Sequence, residues 1–308
     1  MRLGSTAWRE QVEDWLADRT TLAGVAIAIA AAAALSLVVG ASRSGAASAI
    51  EPTAAIGEAR RASLTVDLPP AVTDHIYAAP RAAGRPIIVI DAGHGGRDPG
   101  ATSTSGEVTE KALTLAFARE LRDQLVERGR VRVAMTRTDD RYLTLEQRAN
   151  VARRLGASLF VSLHTDSAPN PLARGATVYS LSDVASDAEA ARFAAAENRG
   201  GLPQGSGNGS VSSILADLAV RSEMNASADF AARLVNKSAG RFELRPEPHR
   251  FAAFHVLRRA DTPAVLFEAG YISNVEDEAL LRSPDHRKTI VLALAQAIEA
   301  DVATRSRR

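Results

Sequence analysis

Two histidines and two glutamates stand where side chains could act together. His94 lies in the run Ile87-Ile88-Val89-Ile90-Asp91-Ala92-Gly93-His94-Gly95-Gly96-Arg97-Asp98-Pro99-Gly100, in which four β-prone apolar residues lead into a glycine-rich loop. His164 directly follows a second apolar run, Leu159-Phe160-Val161-Ser162-Leu163, and Glu268 follows a third at residues 264–267. Glu110 falls in the first turn of a helical pattern. Two neutral imidazoles and one carboxylate are a common shell for catalytic zinc, with a fourth position left for water. A second glutamate nearby could take a proton from that water and pass it to a leaving amine. The spacings are long and the short HExxH pattern is missing, so spacing alone leaves two readings of Glu110 open: a ligand, or a carboxylate favoured by the helix dipole.

The elements that must position these groups alternate. A helix is expected over residues 110–128, with Thr109 as N-cap, Leu113, Phe117, Leu121 and Leu125 on one face, and Gly129 as its stop. A strand at 131–135 precedes the capping box Thr144-Leu145-Glu146-Gln147, which opens a helix ending near Gly156. Strands at 159–163, 176–180 and 264–267 complete the pattern. Strands alternating with longer helices indicate an α/β fold, a mostly parallel or mixed sheet flanked by helices on both faces, with functional groups at the strand ends. Residues 182–240 form a helical insertion before the last strand. It comprises an alanine-rich helix at 186–199 carrying Asp187, Glu189 and Glu197, a polar loop at 200–213, and a helix at about 213–239 with Ile214, Leu215, Leu218, Phe230 and Leu234 as its apolar positions.

Composition sets bounds. A net charge of +1 over 308 residues argues against nucleic acid as a partner, and the absence of cysteine excludes disulfides, thiolate nucleophiles and cysteine-held metals. After a polar region at residues 1–21, the stretch at 22–41 opens with eighteen uncharged residues, 22–39, which nearly span a bilayer core at helical rise. It reads as an export signal, cleaved near the Ala47-Ser48-Ala49 pattern, or as an uncleaved inner-membrane anchor. Either way the rest of the chain lies outside the cytoplasm, in the periplasm. Residues 42–84, rich in Ala, Pro, Ser and Gly, read as a linker, and 85–304 as the catalytic domain.

The runs IVIDAGHGGRDPGA, the pair Glu110-Lys111, VAMTRTDDRYLTLEQRANVARRLGASLFVSLHTDSAPNPLARGATVYSLS and DTPAVLFEAGYISN occur in this order between about residues 85 and 300. Together they resemble the zinc-dependent N-acetylmuramoyl-L-alanine amidases of bacterial cell walls. The resemblance implies Zn²⁺ bound by His94, Glu110 and His164, with Glu268 as the catalytic base, and a peptidoglycan substrate cut between N-acetylmuramic acid and L-alanine during daughter-cell separation. Thr165-Asp166 departs from the Ala-Asn or Ala-Asp common in the family, which touches substrate contacts and not the ligands. In the periplasmic cell-division members an inserted helix blocks the cleft until an activator withdraws it, a murein hydrolase activator of the LytM type that resembles an inactive peptidase. The matching segment here offers Glu197, and after it Glu189, as the plug. A zinc peptidase of the stem peptide and a catalytically silent wall-binding divisome protein are the rival readings. His75 and His286 read as surface residues, His249 and His255 as packing or cleft-lining residues, and Arg97 and Asp98 as ligand-orienting or turn residues.

Overall fold

The computed structural model describes residues 74–200 and 211–306. The polar N-terminal region, the expected export or anchor segment at 22–41, most of the 42–84 linker and most of the polar loop at 200–213 lie outside the described residues. Among the described residues no helix is long and apolar enough to cross a membrane.

Seven strands form one mixed sheet: β1 (Ile76–Tyr77), β2 (Ile87–Ala92), β3 (Arg132–Met135), β4 (Leu159–Asp166), β5 (Ala176–Leu181), β6 (Leu244–Ala252) and β7 (Ala264–Tyr271). Their spatial order is β1-β3-β2-β4-β7-β5-β6. The central strands β3, β2, β4 and β7 run parallel, while β5 is antiparallel to β7. Side chains alternate between the two faces of a strand, so two cores form. Ile88, Ile90, Val161, Leu163, Val265 and Phe267 pack with α1 (Glu110–Arg128), α4 (Val211–Ser238) and α7 (Pro284–Arg305). Val89, Phe160, Tyr179 and Leu266 pack with α2 (Leu145–Leu155), α3 (Ala188–Glu197) and α5 (His255–Arg258). A further short helix, α6 (Val275–Arg282), leads into α7. The fold is thus α/β, with helices on both faces.

Several elements follow their local chemistry. Helix α2 opens with both halves of the capping box, Gln147 N donating to Thr144 Oγ1 and Thr144 N to Gln147 Oε1. Helix α1 has the expected bounds, yet Thr109 makes no side-chain cap. Its first amides are taken instead by backbone carbonyls, Glu110 N donating to Ala101 O and Lys111 N to Pro99 O. Strand β6 was not legible in the sequence, because Pro246 and Pro248 interrupt its pattern. It is an edge strand, where prolines cost no ladder bond on the open side. Residues 74–84, expected to end the linker, hold the opposite edge: β1 pairs with β3, and Asp74 forms an ion pair with Arg154 at 2.7 Å. The two helices of the insertion differ in kind. In α4, Phe230, Ala231 and Leu234 are fully buried in the first core, each large apolar side chain contributing about 1.5–3 kcal/mol, whereas α3 is ten residues long and lies over the C-terminal ends of the central strands.

Beneath that strand edge, Asp91, next to last in β2, is a fully buried carboxylate. Burial opposes its charge, but Arg148, Thr136 and Ser162 outweigh burial and hold its pKa below the ordinary value. Arg148 Nη1 is 2.8 Å from Asp91 Oδ1, Thr136 Oγ1 2.6 Å from the same oxygen, and Ser162 Oγ 2.7 Å from Oδ2. Asp91→Ala strands the Arg148 cation in the core and is expected to destabilise the domain by about 3 kcal/mol, read from chemical denaturation. A carboxyl with a depressed folded pKa contributes stability above its unfolded value, near about 3.9, and loses it as pH falls through the folded one. The gap between wild type and variant is therefore expected to be full at neutral pH and to close in acid.

Candidate active site

His94 is delivered by the loop after β2 in a left-handed backbone conformation, φ 58°. That uncommon geometry is held by two buried guanidinium groups. Arg148 donates to Ala92 O and His94 O, and Arg137 to Ala92 O, Gly93 O and Lys111 O, so three consecutive carbonyls of the loop are tied down and joined to the start of α1. The imidazole is oriented by its Nδ1–H, which donates to Asp98 Oδ2 at 2.9 Å and leaves Nε2 facing the cleft. Nε2 is buried and, among the described residues, meets carboxylate oxygens in place of a well-aligned hydrogen-bond partner.

His164 lies inside β4 rather than just after it, since the strand continues to Asp166. Its ladder partner on β7 is Glu268, so the two side chains share a face of the sheet. Glu110, in the first turn of α1, closes the group. Its Oε2 is 3.1 Å from His94 Nε2 and accepts from Ala101 N, and its Oε1 is 3.0 Å from His164 Nδ1 and accepts from Thr165 N. Glu197, the last residue of α3, brings its Oε2 to 3.8 Å from His94 Nε2 and 3.5 Å from His164 Nδ1. His94, His164 and Glu197 form a group of metal-ligating type with mutual donor distances within 4.8 Å.

These distances admit a direct test of fit. Four donors bound tetrahedrally at about 2.0–2.1 Å from one zinc ion lie about 3.3–3.4 Å apart. The observed imidazole–carboxylate separations are 3.0–3.8 Å, with one Glu110 oxygen meeting each imidazole and one Glu197 oxygen approaching both. Two imidazoles and two carboxylates converging in this way are donors of the type that suits zinc.

Charge state follows from the same packing. Burial disfavours a charged His94, but the Glu110 carboxylate, Asp98 and Glu197 overcome it and push its pKa up to about 11. For Glu110 burial is likewise outweighed by the two imidazoles, which hold it well below the carboxylate range. Glu268 is fully buried, neither carboxylate oxygen has a hydrogen-bond partner among the described residues, and burial together with the like charges of Asp166, Glu110 and Glu197 raises its pKa well above normal. Asp166, on the cleft wall, is raised to about 7, first by burial and also by the Glu110 and Glu189 carboxylates.

The cleft has a volume of about 640 Å³. Phe193, Ala196 and Glu197 of α3 form one wall. Helix α3 is clamped at both ends: Asp187 and Glu189 pair with Arg250, Glu189 also with Arg245, and Asn198 exchanges hydrogen bonds with Ala253 O and His255 N. Phe193 packs against Tyr179 and Phe254. Glu189 is thus an anchor of the helix and lies in a separate ion-pair cluster from the two histidines, whereas Glu197 reaches both. Neither His249 nor His255 is among the cleft-lining residues: His249 bonds to Ser180 Oγ and stacks on Phe251, and His255 opens α5.

A protein family described as N-acetylmuramoyl-L-alanine amidase matches residues 88–300, the region that contains every one of these groups. The chain belongs to this amidase family. Among curated relatives, N-acetylmuramoyl-L-alanine amidase AmiC of Neisseria meningitidis is 36% identical over 226 residues, covering 71% of this chain and 53% of the relative. The chain thus spans about half the length of that relative. AmiA of Escherichia coli is 33% identical, covering 71% of this chain and 77% of the relative. Among solved structures, the catalytic domain of CwlV, an N-acetylmuramoyl-L-alanine amidase from Bacillus (Paenibacillus) polymyxa, superposes with a TM-score of 0.50 at 28% identity, over 69% of this chain and 96% of that one. An amidase from Clostridium difficile 630, at 22% identity and a TM-score of 0.52, shares the fold over 70% of this chain and 96% of its own.

In this amidase-family chain the histidines can close on Glu110 only because two glycines leave room. A Cβ on Gly93 would stand 2.5–2.8 Å from the His164 ring, and one on Gly100, whose φ is +65°, 2.5 Å from Glu110 Oε2 and 2.7 Å from His94 Cδ2. Gly93→Ala and Gly100→Ala are each expected to weaken zinc binding at least about tenfold, in keeping with the loss seen when the surroundings of a ligand are disturbed. Chelator competition measures the affinity, and circular dichroism checks that the fold is kept.

Proposed function

We propose that this chain is an extracytoplasmic zinc hydrolase that cuts the amide between N-acetylmuramic acid and L-alanine in peptidoglycan. The single observation that carries this reading is the pairing of a donor set of the type that suits zinc, His94, Glu110 and His164, with the buried, unpartnered carboxyl of Glu268 on the neighbouring strand. Family membership supplies the substrate class.

An amide has a poor leaving group and needs both an activated nucleophile and a proton for the departing nitrogen. Bound zinc supplies Lewis acidity to the scissile carbonyl and lowers the pKa of water toward about 7. Glu268 accepts the proton of the attacking water on a carboxylate oxygen and returns it to the L-alanine nitrogen as the C–N bond breaks. The amine leaves neutral and the carboxylate is regenerated. A carboxyl that exchanges protons near neutrality needs a raised pKa, which burial of Glu268 provides. Asp98 and the two buried arginines keep His94 in one tautomer and one orientation.

With zinc held by His94, Glu110 and His164, Glu197 in the closed arrangement would compete with the attacking water for the metal, so α3 would act as an autoinhibitory plug. Support comes from the 3.5 and 3.8 Å approaches to both histidines and from the placing of an acid in the last turn of a helix, a position its dipole disfavours. A ten-residue helix is marginal without docking, so an activator that competes for its clamps would open the cleft. The LytM-type activator and the N-terminal export segment or anchor complete this reading of a periplasmic enzyme acting in cell separation.

With zinc restored after chelation, digestion of sacculi by the full chain is expected to free peptides that begin with L-alanine, seen by mass spectrometry; products cut within the stem would favour a peptidase instead. Glu268→Gln is expected to retain zinc and to lose activity by about 10²–10⁴-fold, and near wild-type turnover by the loaded variant would refute its role. Glu197→Ala is expected to raise basal hydrolysis, while unchanged basal rates would remove the plug from the proposal.

A further inference from the structure

Among the described residues three arginines line the cleft, Arg97, Arg148 and Arg199. They are not equivalent. Arg148 is consumed by Asp91 and by the carbonyls of the His94 loop. Arg199 follows Glu197 by two residues and belongs to the segment that must move if the cleft is to open. Arg97 stays. It sits in the His94 loop, whose backbone is fixed on both sides of it: Gly95 N donates to Asp98 O, Gly96 N to Asp140 Oδ1, and Lys111 Nζ to Gly96 O.

The guanidinium of Arg97 lies over the ring of Tyr142, 4.3 Å from its centroid. Among the described residues it makes no ion pair, because the acids around the loop are already engaged: Asp98 with His94, Asp140 with Lys111, and Asp139 with Arg141. Stacking on an aromatic face orders the plane of a guanidinium and leaves its N–H edge, which carries the directional donors, free for a planar anion. A carboxylate is the partner that edge fits, through two parallel hydrogen bonds.

Position limits which carboxylate. Arg97 and His94 are three residues apart, so their Cα atoms are no more than about 11 Å apart. Both residues also line the same cleft, so one substrate can meet Arg97 with a group close in its chain to the bond opened beside His94. In a peptidoglycan stem the residue after L-alanine is a glutamate joined onward through its side-chain carboxyl, which leaves its α-carboxyl either free and charged or amidated and neutral. Resting on the amidase reading above, we propose that Arg97 is a specificity residue that binds this free α-carboxylate and so distinguishes unamidated from amidated stem peptides.

The test uses the zinc-loaded full chain and two peptidoglycan preparations that differ only in whether that carboxyl is free or amidated. Wild type is expected to show a kcat/KM higher on the free form by about tenfold or more, the range of a hydrogen bond to a charged group. Arg97→Met is expected to lose that preference through a raised KM on the free form, with its rate on the amidated form held within about threefold, and Arg97→Lys to keep part of it. Because Arg97 is exposed, both variants are expected to unfold at the wild-type temperature. Equal cleavage of the two preparations by wild type, or an equal loss on both in Arg97→Met, overturns the carboxylate assignment and leaves the amidase reading standing. If wild type releases no L-alanine-terminated peptide from either preparation, the amidase reading fails and this assignment falls with it.

Discussion

One carboxylate holds the site together. Glu110 meets the loop after β2 through His94, the turn before α1 through Ala101 N, and β4 through His164 and Thr165 N. A buried carboxylate of this kind is tolerated only where each oxygen is met by donors or positive charge, and here three chain segments converge to provide them. The cost of that convergence is a concentration of negative charge. Glu110, Asp166, Glu197 and Glu268 oppose one another through the same small volume, with the repulsion falling most heavily on Glu268. A divalent cation at the donor set relieves this repulsion and gives the histidines a partner other than protons, which is why the chemistry proposed for the site and the electrostatics of its packing agree.

The scaffold under the carboxylate is arranged to resist movement. Ladder pairing sets Ala92 opposite Leu163 and His164 opposite Glu268, so the groups arrive at one edge from three adjacent strands or the loop that follows them. Two buried guanidinium groups then fix the His94 loop by its carbonyls. The same arrangement explains why Arg97 can be exposed and still well placed: its backbone is held from both sides, and only its side chain meets the cleft. Helix α3 contrasts with this rigidity. It is short, alanine-rich and held mainly by ion pairs and one aromatic cluster, which makes it the part of the cleft wall that a competing partner could displace at least cost.

Much of this was legible in the sequence because strand ends, caps and glycine stops are local signals. The bounds of α1, the capping box of α2 and the apolar strands β2, β4 and β7 could be read directly. Other features were hidden by equally physical causes. Prolines masked β6, since only its position at the sheet edge makes them harmless. The length of β4 past His164 was missed because a polar His-Thr-Asp run reads as a loop until a neighbouring strand pairs with it. Asp91, Arg137 and Arg148 carried one faint signal, a charged residue directly after four buried apolar ones, but nothing in their spacing says that they meet.

The sequence by itself determined the alternation of strands and helices, two histidines following apolar strand cores, and the family through the order of its motifs, because these depend on residues close together in the chain. Only the tertiary structure decided which acids share the cleft. Glu189 and Glu197 are two acids on one alanine-rich helix, ranked in the sequence only by resemblance, yet one is drawn into ion pairs with Arg245 and Arg250 and the other reaches His94 and His164. The surroundings of Glu110 were set in the same way, with oxygens 3.1 and 3.0 Å from imidazoles that lie 16 and 54 residues away in the chain. Such distances are set by strand register and helix docking, which are properties of the folded whole.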